Sequence, residues 1–515
     1  MLHIRTTKTS SGSTAVQVVE YIKRKTVILI HIGSAKNSEE LSELKKSAQD
    51  WIVRNDKQMS FFELLEGNNS KYLQQKPSKP SSLIALDKCN YLGFRYQLFY
   101  DVFSDILMLF KLHLLESHYK KLLLDLVIAR IANPASKAES LNFLEQYFGI
   151  KHNYRTLTRA IPHFCDLKDI VESKIISVAK KYFKFNFSLV FYDLTTLYFE
   201  SFESDDLRKI GFSKDNKTNQ PQIMIGLLVN DSGFPISYQV FEGNKFEGHT
   251  LMPSILAVKK KYKIDEMTVV ADAAMISDDN VLFLKSNNLN YIVGARIANL
   301  GISDIEKINK ELNLEDDKTF RIKTSKGILI CHFANNRYRK DKIEMEKQIN
   351  KAKFLLKESD PNPARKRTKF LKHRNNDKNN YELNQQLIYK TTLLLGIKGY
   401  YSNLENVNDL EIIKQYRNLW HIEKAFRISK SDLQMRPIFH FKQSSIHAHL
   451  LICFMALAIC KFMEIKTGRS TKAVLKMLMG VTDARILDKT NNREILMRSE
   501  VGVEVGKMLD LILSY

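Results

Sequence analysis

Residues 187 to 297 constrain the fold of this chain most, because short apolar runs, turn signals and helix-like stretches follow one another there in a fixed order. FSLVFYDLTTLYFES (187 to 201) contains a run of β-branched and aromatic residues, Leu189 to Tyr192, that reads as a buried strand. PQIMIGLLVN and PISYQVFEG follow on either side of Asn230-Asp231-Ser232-Gly233, and this pattern predicts an antiparallel hairpin. A helix is expected over His249 to Tyr262 and a strand in MTVVADAAM (267 to 275). A second helix over 278 to 288 and a strand in YIVGARI (291 to 297) complete the order β-β-β-α-β-α-β.

Two of these strands end in a carboxylate, Asp193 and Asp272. Singly, each reads equally well as the start of a turn or a helix cap. A third acid lies in YRNLWHIEKAFRISKSDLQMRP (416 to 437), which reads as one amphipathic helix. Tyr416, Glu423 and Lys430 stand seven residues apart, close to two full turns, so they share a face, with Trp420 and Arg427 on the same side. Glu423 and Arg427 alone would be an ordinary i,i+4 ion pair contributing ~0.3–0.5 kcal/mol. A carboxylate among an aromatic and several cations also suits a place where one acid holds a metal while its neighbours grip a polyanion.

Together these segments resemble the DDE transposases of bacterial insertion sequences, in particular the insertion-sequence-four group, marked by Y-x2-R-x3-E-x6-K. Tyr416, Glu423 and Lys430 fit that spacing; GFSKDNKTNQPQIMIGLLVN (211 to 230) and FEGNKFEGHTL (241 to 251) are also similar, and the likeness runs over roughly residues 125 to 465. The chain departs from the pattern at Leu419, where an arginine is expected, at Ala274, where a glycine is expected, and at Lys398-Gly399, in place of Asp-Gly. The resemblance implies an α/β fold: an RNase H-like catalytic domain, with a mixed five-stranded sheet and flanking helices, over 181–297 and 398–470. It also implies a β-rich insertion over 298–397, which accounts for the long gap between Asp272 and Glu423. FRIKTSKGILICHFAN (320 to 335) and LIYKTTLLLGI (387 to 397) are the strands expected in that insertion. The basic stretch 336 to 380 between them reads equally as a DNA-contacting arm or a solvated loop.

By the same resemblance, Asp193, Asp272 and Glu423 are the catalytic and metal-binding residues. They would hold two Mg²⁺ ions, with Mn²⁺ as substitute, for in-line transfer: water nicks an element end and the freed 3′-hydroxyl attacks target DNA. Tyr416 and Lys430 are expected on phosphates near the cleaved end. Arg417 or Arg427 would take over from the missing arginine, and Trp420 reads as a base-stacking residue or a core tryptophan. The implied partners are the terminal inverted repeats, target DNA and a second copy of the chain when two ends are joined. An RNase H-like nuclease and a catalytically silent DNA-binding descendant are the rival readings.

A net charge of +22 fits a polyanionic partner. The five cysteines (89, 165, 331, 453, 460) show no metal or disulfide spacing, which fits a reducing cytoplasm, with nucleoid association when DNA is bound. The first residues, MLHIRTTKTSSGST, show no apolar signal-peptide core, and the run LLICFMALAIC (450 to 460) is expected as a core helix too short to span a bilayer. Residues 1–120 are expected as a small hairpin, AVQVVEYIKRKTVILIHIGS (15 to 34), then helices over 38 to 54 and 99 to 132, with KPSKPSS (76 to 82) as linker. Residues 121–180 read as a helical DNA-binding region or as a helical collar bracing the catalytic domain, with a break and N-cap at Pro134 and Ser136 and with Arg155 and Arg159 on one helix face. A helical tail is expected over 471–515.

Overall fold

The computed structural model describes residues 2–9, 12–22, 25–35, parts of 37–48, 88–213, 217, 219–275, 277–357, 368–373, 381–489 and 492–513. The chain divides into two compact units, Met1–Ser78 with Ser514–Tyr515, and Lys79–Leu513. In the first unit β1 (Leu2–Lys8), β2 (Thr14–Ile22) and β3 (Lys25–Ala35) form an antiparallel sheet in that order. The alternation of β2 buries Val16 and Val18 against Ala48, Leu41 and Leu44. The expected hairpin is therefore β2–β3. Its turn residues 23–24, the expected helix beyond residue 48 and the linker 76–82 lie outside the described residues.

The second unit begins with β4 (Cys89–Arg95) and the helices α1 (Gln97–Leu109), α2 (Lys120–Ala132), α3 (Lys137–Phe143), α4 (Tyr154–Phe164) and α5 (Lys168–Phe183). The helical stretch expected over 99 to 132 is two helices, because Lys111 turns left-handed (φ 56°) and a short 3₁₀ turn follows. Ser136 caps α3 as predicted, its Oγ accepting the Glu139 N–H at 3.1 Å. On α4, Leu157, Ala160 and Phe164 form the buried stripe, and the helix packs on the later core helix Gln443–Thr467.

Next come β5 (Leu189–Tyr198), β6 (Gln222–Val229), β7 (Pro235–Glu242), α6 (Gly248–Tyr262), β8 (Thr268–Ala271), α7 (Asp278–Ser286) and β9 (Asn290–Ala295), the order predicted from the apolar runs. β5, β6 and β7 form an antiparallel meander, while β8 lies parallel to β5 and β9 parallel to β8. After α8 (Ile302–Leu312) come β10 (Thr319–Thr324), β11 (Gly327–Phe333), α9 (Asn335–Lys357), β12 (Leu371–His373), β13 (Tyr381–Leu383), α10 (Gln385–Leu393) and β14 (Ile397–Ser402).

This inserted stretch departs from the expected β-rich subdomain. β14, β11 and β10 extend the main sheet, giving eight strands in the order β10-β11-β14-β9-β8-β5-β6-β7. α8 covers the extension, burying Ile308 and Leu312 against Leu329, Cys331 and Phe333. LIYKTTLLLGI is mostly helix α10 and not strand: Asn384 Oδ1 caps it by accepting the Leu387 N–H at 3.1 Å, and only its last residue enters β14. The basic stretch after residue 335 begins as the 23-residue helix α9, as its Lys, Glu, Gln and Met content favours. Residues 358–367 and 374–380 lie outside the described residues.

The unit closes with α11 (Asp409–Arg417), α12 (Trp420–Arg427), α13 (Gln443–Thr467), α14 (Thr471–Met479), β15 (Asp483–Asp488), β16 (Arg493–Arg498) and α15 (Val503–Leu513). The expected helical tail thus contains a hairpin, β15–β16, which pairs with β4. α13 is longer than the run that announced it. By length and composition it could cross a membrane, yet 94% of its most apolar window is buried inside the protein, where it serves as the core helix.

Candidate active site

The parallel register of β5 and β8 places Tyr192 beside Ala271, so Asp193, within β5, and Asp272, just past the end of β8, follow side by side. Adjacent strands stand about 4.8 Å apart, which brings the two carboxylates within reach of a common ligand. Each is fixed by the amide that follows it: the Leu194 N–H donates to Asp193 Oδ1 at 2.7 Å and the Ala273 N–H to Asp272 Oδ1 at 2.7 Å. Behind Asp272, Ala273–Met275 forms a 3₁₀ turn, and Ala274 is not among the residues with positive φ. The alanine in place of the expected glycine is therefore unstrained. Asn280 ties this turn to α6, its buried amide donating to Met275 O and Gly248 O at 2.7 Å each.

The third acid arrives on α12, which packs on β5 and β6 through Ile422, Ala425 and Phe426, leaving Glu423 and Arg427 exposed on the other side. The β6–β7 turn supports this docking. Gly233 has φ 77°, and a Cβ there would meet His421 Cβ at 3.0 Å. Beside Glu423, Lys424 forms an ion pair with Glu464 of α13, which also accepts Lys461 Nζ at 3.1 Å. Burial raises the Glu464 pKa, but the two lysines outweigh it and hold the carboxyl below its ordinary range.

The expected single helix over 416 to 437 is interrupted. α11 ends at Arg417, and the His421 and Ile422 amides bond back three residues to Asn418 and Leu419, tightening the turn between α11 and α12. A wide π turn, Ile428–Asp432, follows α12 and carries a half-buried Lys430. A wide turn changes the rotation per residue, so the seven-residue spacing no longer fixes Lys430 on the Glu423 face.

Tyr416 is only 6% exposed, with its hydroxyl donating to Asp272 Oδ1 at 3.4 Å and its ring edge-on to Tyr400 at 4.9 Å. The structure thus sets it behind a catalytic candidate and away from the surface where it was expected to meet phosphates. Burial, then the charge of Asp272, pushes its phenol well above the ordinary range. Trp420 is 49% exposed and stacked on His421 at 3.9 Å, which removes the core-tryptophan reading. Arg417 and Arg427 are exposed, as are Arg155 and Arg159 on the outer face of α4. Leu419, standing where the motif has arginine, is a buried apolar residue.

One group escaped the sequence reading. Lys398, on β14, puts its ammonium 4.6 Å from the Tyr416 ring centroid and 5.7 Å from that of Tyr400. Burial, then repulsion from Arg337, lowers its pKa, while Asp272 and Glu423 oppose the shift. On the other side of Asp272 a cleft of about 830 Å³ opens between Phe246, Lys245, Arg296 and Asn299. Among the described residues no three Asp, Glu, His or Cys side chains stand close enough together to enclose a metal ion.

The family model for the transposase DDE domain matches residues 184–459, which hold all three acids and every strand of the main sheet. Two solved structures are similar in part. A piggyBac transposase synaptic complex with hairpin DNA is 10% identical, with 75% of this chain and 78% of that chain covered at a TM-score of 0.38. A Mos1 transposase paired-end complex with left transposon end is 13% identical, covering 48% and 66% at a TM-score of 0.16. No curated protein matches the chain in sequence.

Proposed function

The chain belongs to the family of transposases with a DDE domain, and from that premise we propose that it is a DNA transposase of the insertion-sequence-four type with an RNase H-like core. It nicks the ends of a mobile element and transfers the 3′-hydroxyl to target DNA. The observation that carries the reading is the parallel register that sets Asp193 beside Asp272, with the helix of Glu423 packed on β5. Three carboxylates with no sulfur or nitrogen donor are a hard oxygen set, which fits Mg²⁺ or Mn²⁺. Two such ions, when bound, supply activation of the attacking oxygen and stabilisation of the leaving one.

The protein's own residues orient the reaction. Backbone amides fix one oxygen of each aspartate, and the Tyr416 hydroxyl holds Asp272 from behind. Glu423, exposed on α12, closes on the aspartates when DNA loads the site. Trp420 offers an aromatic face to an unstacked base near the nick, a contact worth ~1–3 kcal/mol. Arg417, Arg427 and Lys430 supply charge for the backbone, and α4, through Arg155 and Arg159, meets the terminal repeat. Two chains act together because two ends are joined.

Joining separates a transposase from a nuclease. A duplex carrying the element end with a free 3′-hydroxyl, incubated with the protein, Mg²⁺ and a supercoiled plasmid, is expected to become covalently attached to the plasmid. Attachment should be lost in Asp193→Ala. Cutting without any joined product would assign the site to a nuclease.

A further inference from the structure

A second concavity, of about 410 Å³, lies between the inserted stretch and the end of α11. It is lined by Arg337, Lys340 and Arg417 together with Asp316, Asp317 and Asp341. The three acids are engaged by donors of the protein itself. Asp316 Oδ1 accepts the Asn335 N–H at 2.7 Å, Asp317 Oδ1 lies 3.0 Å from His332 Nε2, and Asp341 Oδ2 accepts the Gly396 N–H at 3.2 Å.

The cations are not engaged in this way. Among the described residues the side chains of Arg337, Lys340 and Arg417 make no hydrogen bond and no ion pair, although three carboxylates share their cavity. Lys398 belongs with them. It is half-buried, has no carboxylate within ion-pair distance among the described residues, and faces two tyrosine rings. Arg337 acts on it more strongly than either Asp272 or Glu423 does singly, and Arg417 adds to the repulsion. Cations left without an ion-pair or hydrogen-bond partner, beside carboxylates already engaged by other donors, can take an anion from outside the chain.

We propose that Lys398, Arg337 and Arg417 form a phosphate seat that holds a backbone phosphodiester of the bound DNA strand beside the Asp272 and Glu423 carboxylates. The seat rests on the DNA-transferring function above. It gives the inserted segment a role, since β14 and the start of α9 bring two of its three cations. Arg337 and Arg417 present planar forks suited to two phosphate oxygens, and Lys398 supplies a point charge between them and the acids. Lys398 is here a positioning residue: it holds the strand in register with the site.

The test is the salt dependence of binding by the full chain to a fluorescent random-sequence duplex. One lost phosphate contact lowers the log–log slope by about 0.9 over the range from about 50 to about 200 mM salt. Lys398→Met and Arg337→Met are each expected to lower the slope by about that amount, while Lys398→Arg keeps it. Arg337 is exposed, so its variant reads the seat even if Lys398→Met fails to fold. Unchanged slopes in folded Arg337→Met and Lys398→Met would overturn the seat while leaving the transposase reading standing. An unchanged slope in Lys398→Met together with a reduced Mg²⁺ requirement for cleavage would assign Lys398 to neutralising the acids, which also overturns the seat. Wild-type protein that binds the duplex without salt dependence would overturn the seat and the DNA reading together.

Discussion

Gly294→Ala is a sharp test of how the site is held. Gly294 of β9 lies next to Asp272 in the parallel register, and a Cβ there would stand 2.5 Å from the Tyr416 hydroxyl oxygen. Ordinary contact begins near 3.4 Å, so the hydroxyl must retreat by about 0.9 Å. The ring has little room to follow, being 6% exposed and wedged against Tyr400 with Lys398 over its face. Overpacking of this kind costs about 1–3 kcal/mol. Gly294 is not a positive-φ glycine, so alanine would otherwise stabilise the strand by about 0.4–1 kcal/mol through the unfolded chain. The clash decides the sign, and Gly294→Ala is expected to destabilise. The hydroxyl is the nearest obstacle, with Ala273 Cβ and N at 3.2 and 3.3 Å behind it, so Tyr416→Phe should relieve most of the clash. Urea unfolding of the wild type, both single variants and the double variant gives the coupling, expected at about 1–3 kcal/mol in the compensating direction. Each single variant should also slow DNA cleavage by about tenfold, roughly 1.4 kcal/mol, as Asp272 loses its support. If Gly294→Ala cost the same with and without the hydroxyl, the arrangement of Tyr416 across Gly294 and against Asp272 would be refuted.

Two further outcomes follow from the charges. Lys137 is 6% exposed, its Nζ lies 2.6 Å from His440 Nε2, and burial followed by repulsion from the buried Arg130 brings its pKa down to about 7. The unfolded chain keeps that proton up to about 10.5, so stability from this group rises between pH 7 and 10.5 and is flat below. The rise is on the order of 3–5 kcal/mol and should be missing from the pH–stability profile of Lys137→Met. A profile of the variant parallel to wild type would contradict the buried, cationic setting of Lys137. Replacing both Arg155 and Arg159 with alanine is expected to leave the melting temperature unchanged and to lower the salt slope of binding to an element-end duplex by about 1–2. An unchanged slope would remove α4 from the DNA interface.

Much of the core was legible because β5 to β9 are buried on their main faces, so each strand declares itself as an apolar run of strand length bounded by turns. Asp272 was placed as expected, directly after β8, whereas Asp193 does not end its strand: β5 continues past it to Tyr198, because Leu194 to Tyr198 go on pairing with β6. Lys398 was not legible. It reaches the site because β14 pairs antiparallel with β9 and β11, a contact between distant stretches that leaves no local pattern. The run at 387 to 397 misled because an apolar stretch of that length suits strand or helix, and the deciding feature was the cap at Asn384 just before it. The terminal hairpin was missed although residues 483 to 498 alternate around an Asn-rich turn, with Asn492 in the left-handed region. The heptad spacing of Tyr416, Glu423 and Lys430 assumed one regular helix, and the interruption at Asn418 and the wide turn at Ile428 broke that assumption.

The most direct measurement is cleavage of a supercoiled plasmid carrying the element ends, with Mg²⁺ or Mn²⁺, by wild type and by Asp193→Asn, Asp272→Asn and Glu423→Gln. Three carboxylates acting as one site predict that wild type cuts at the ends and that each variant binds the same DNA with similar affinity but does not cut. Cutting at the ends that survives the loss of any one of the three acids would contradict the account.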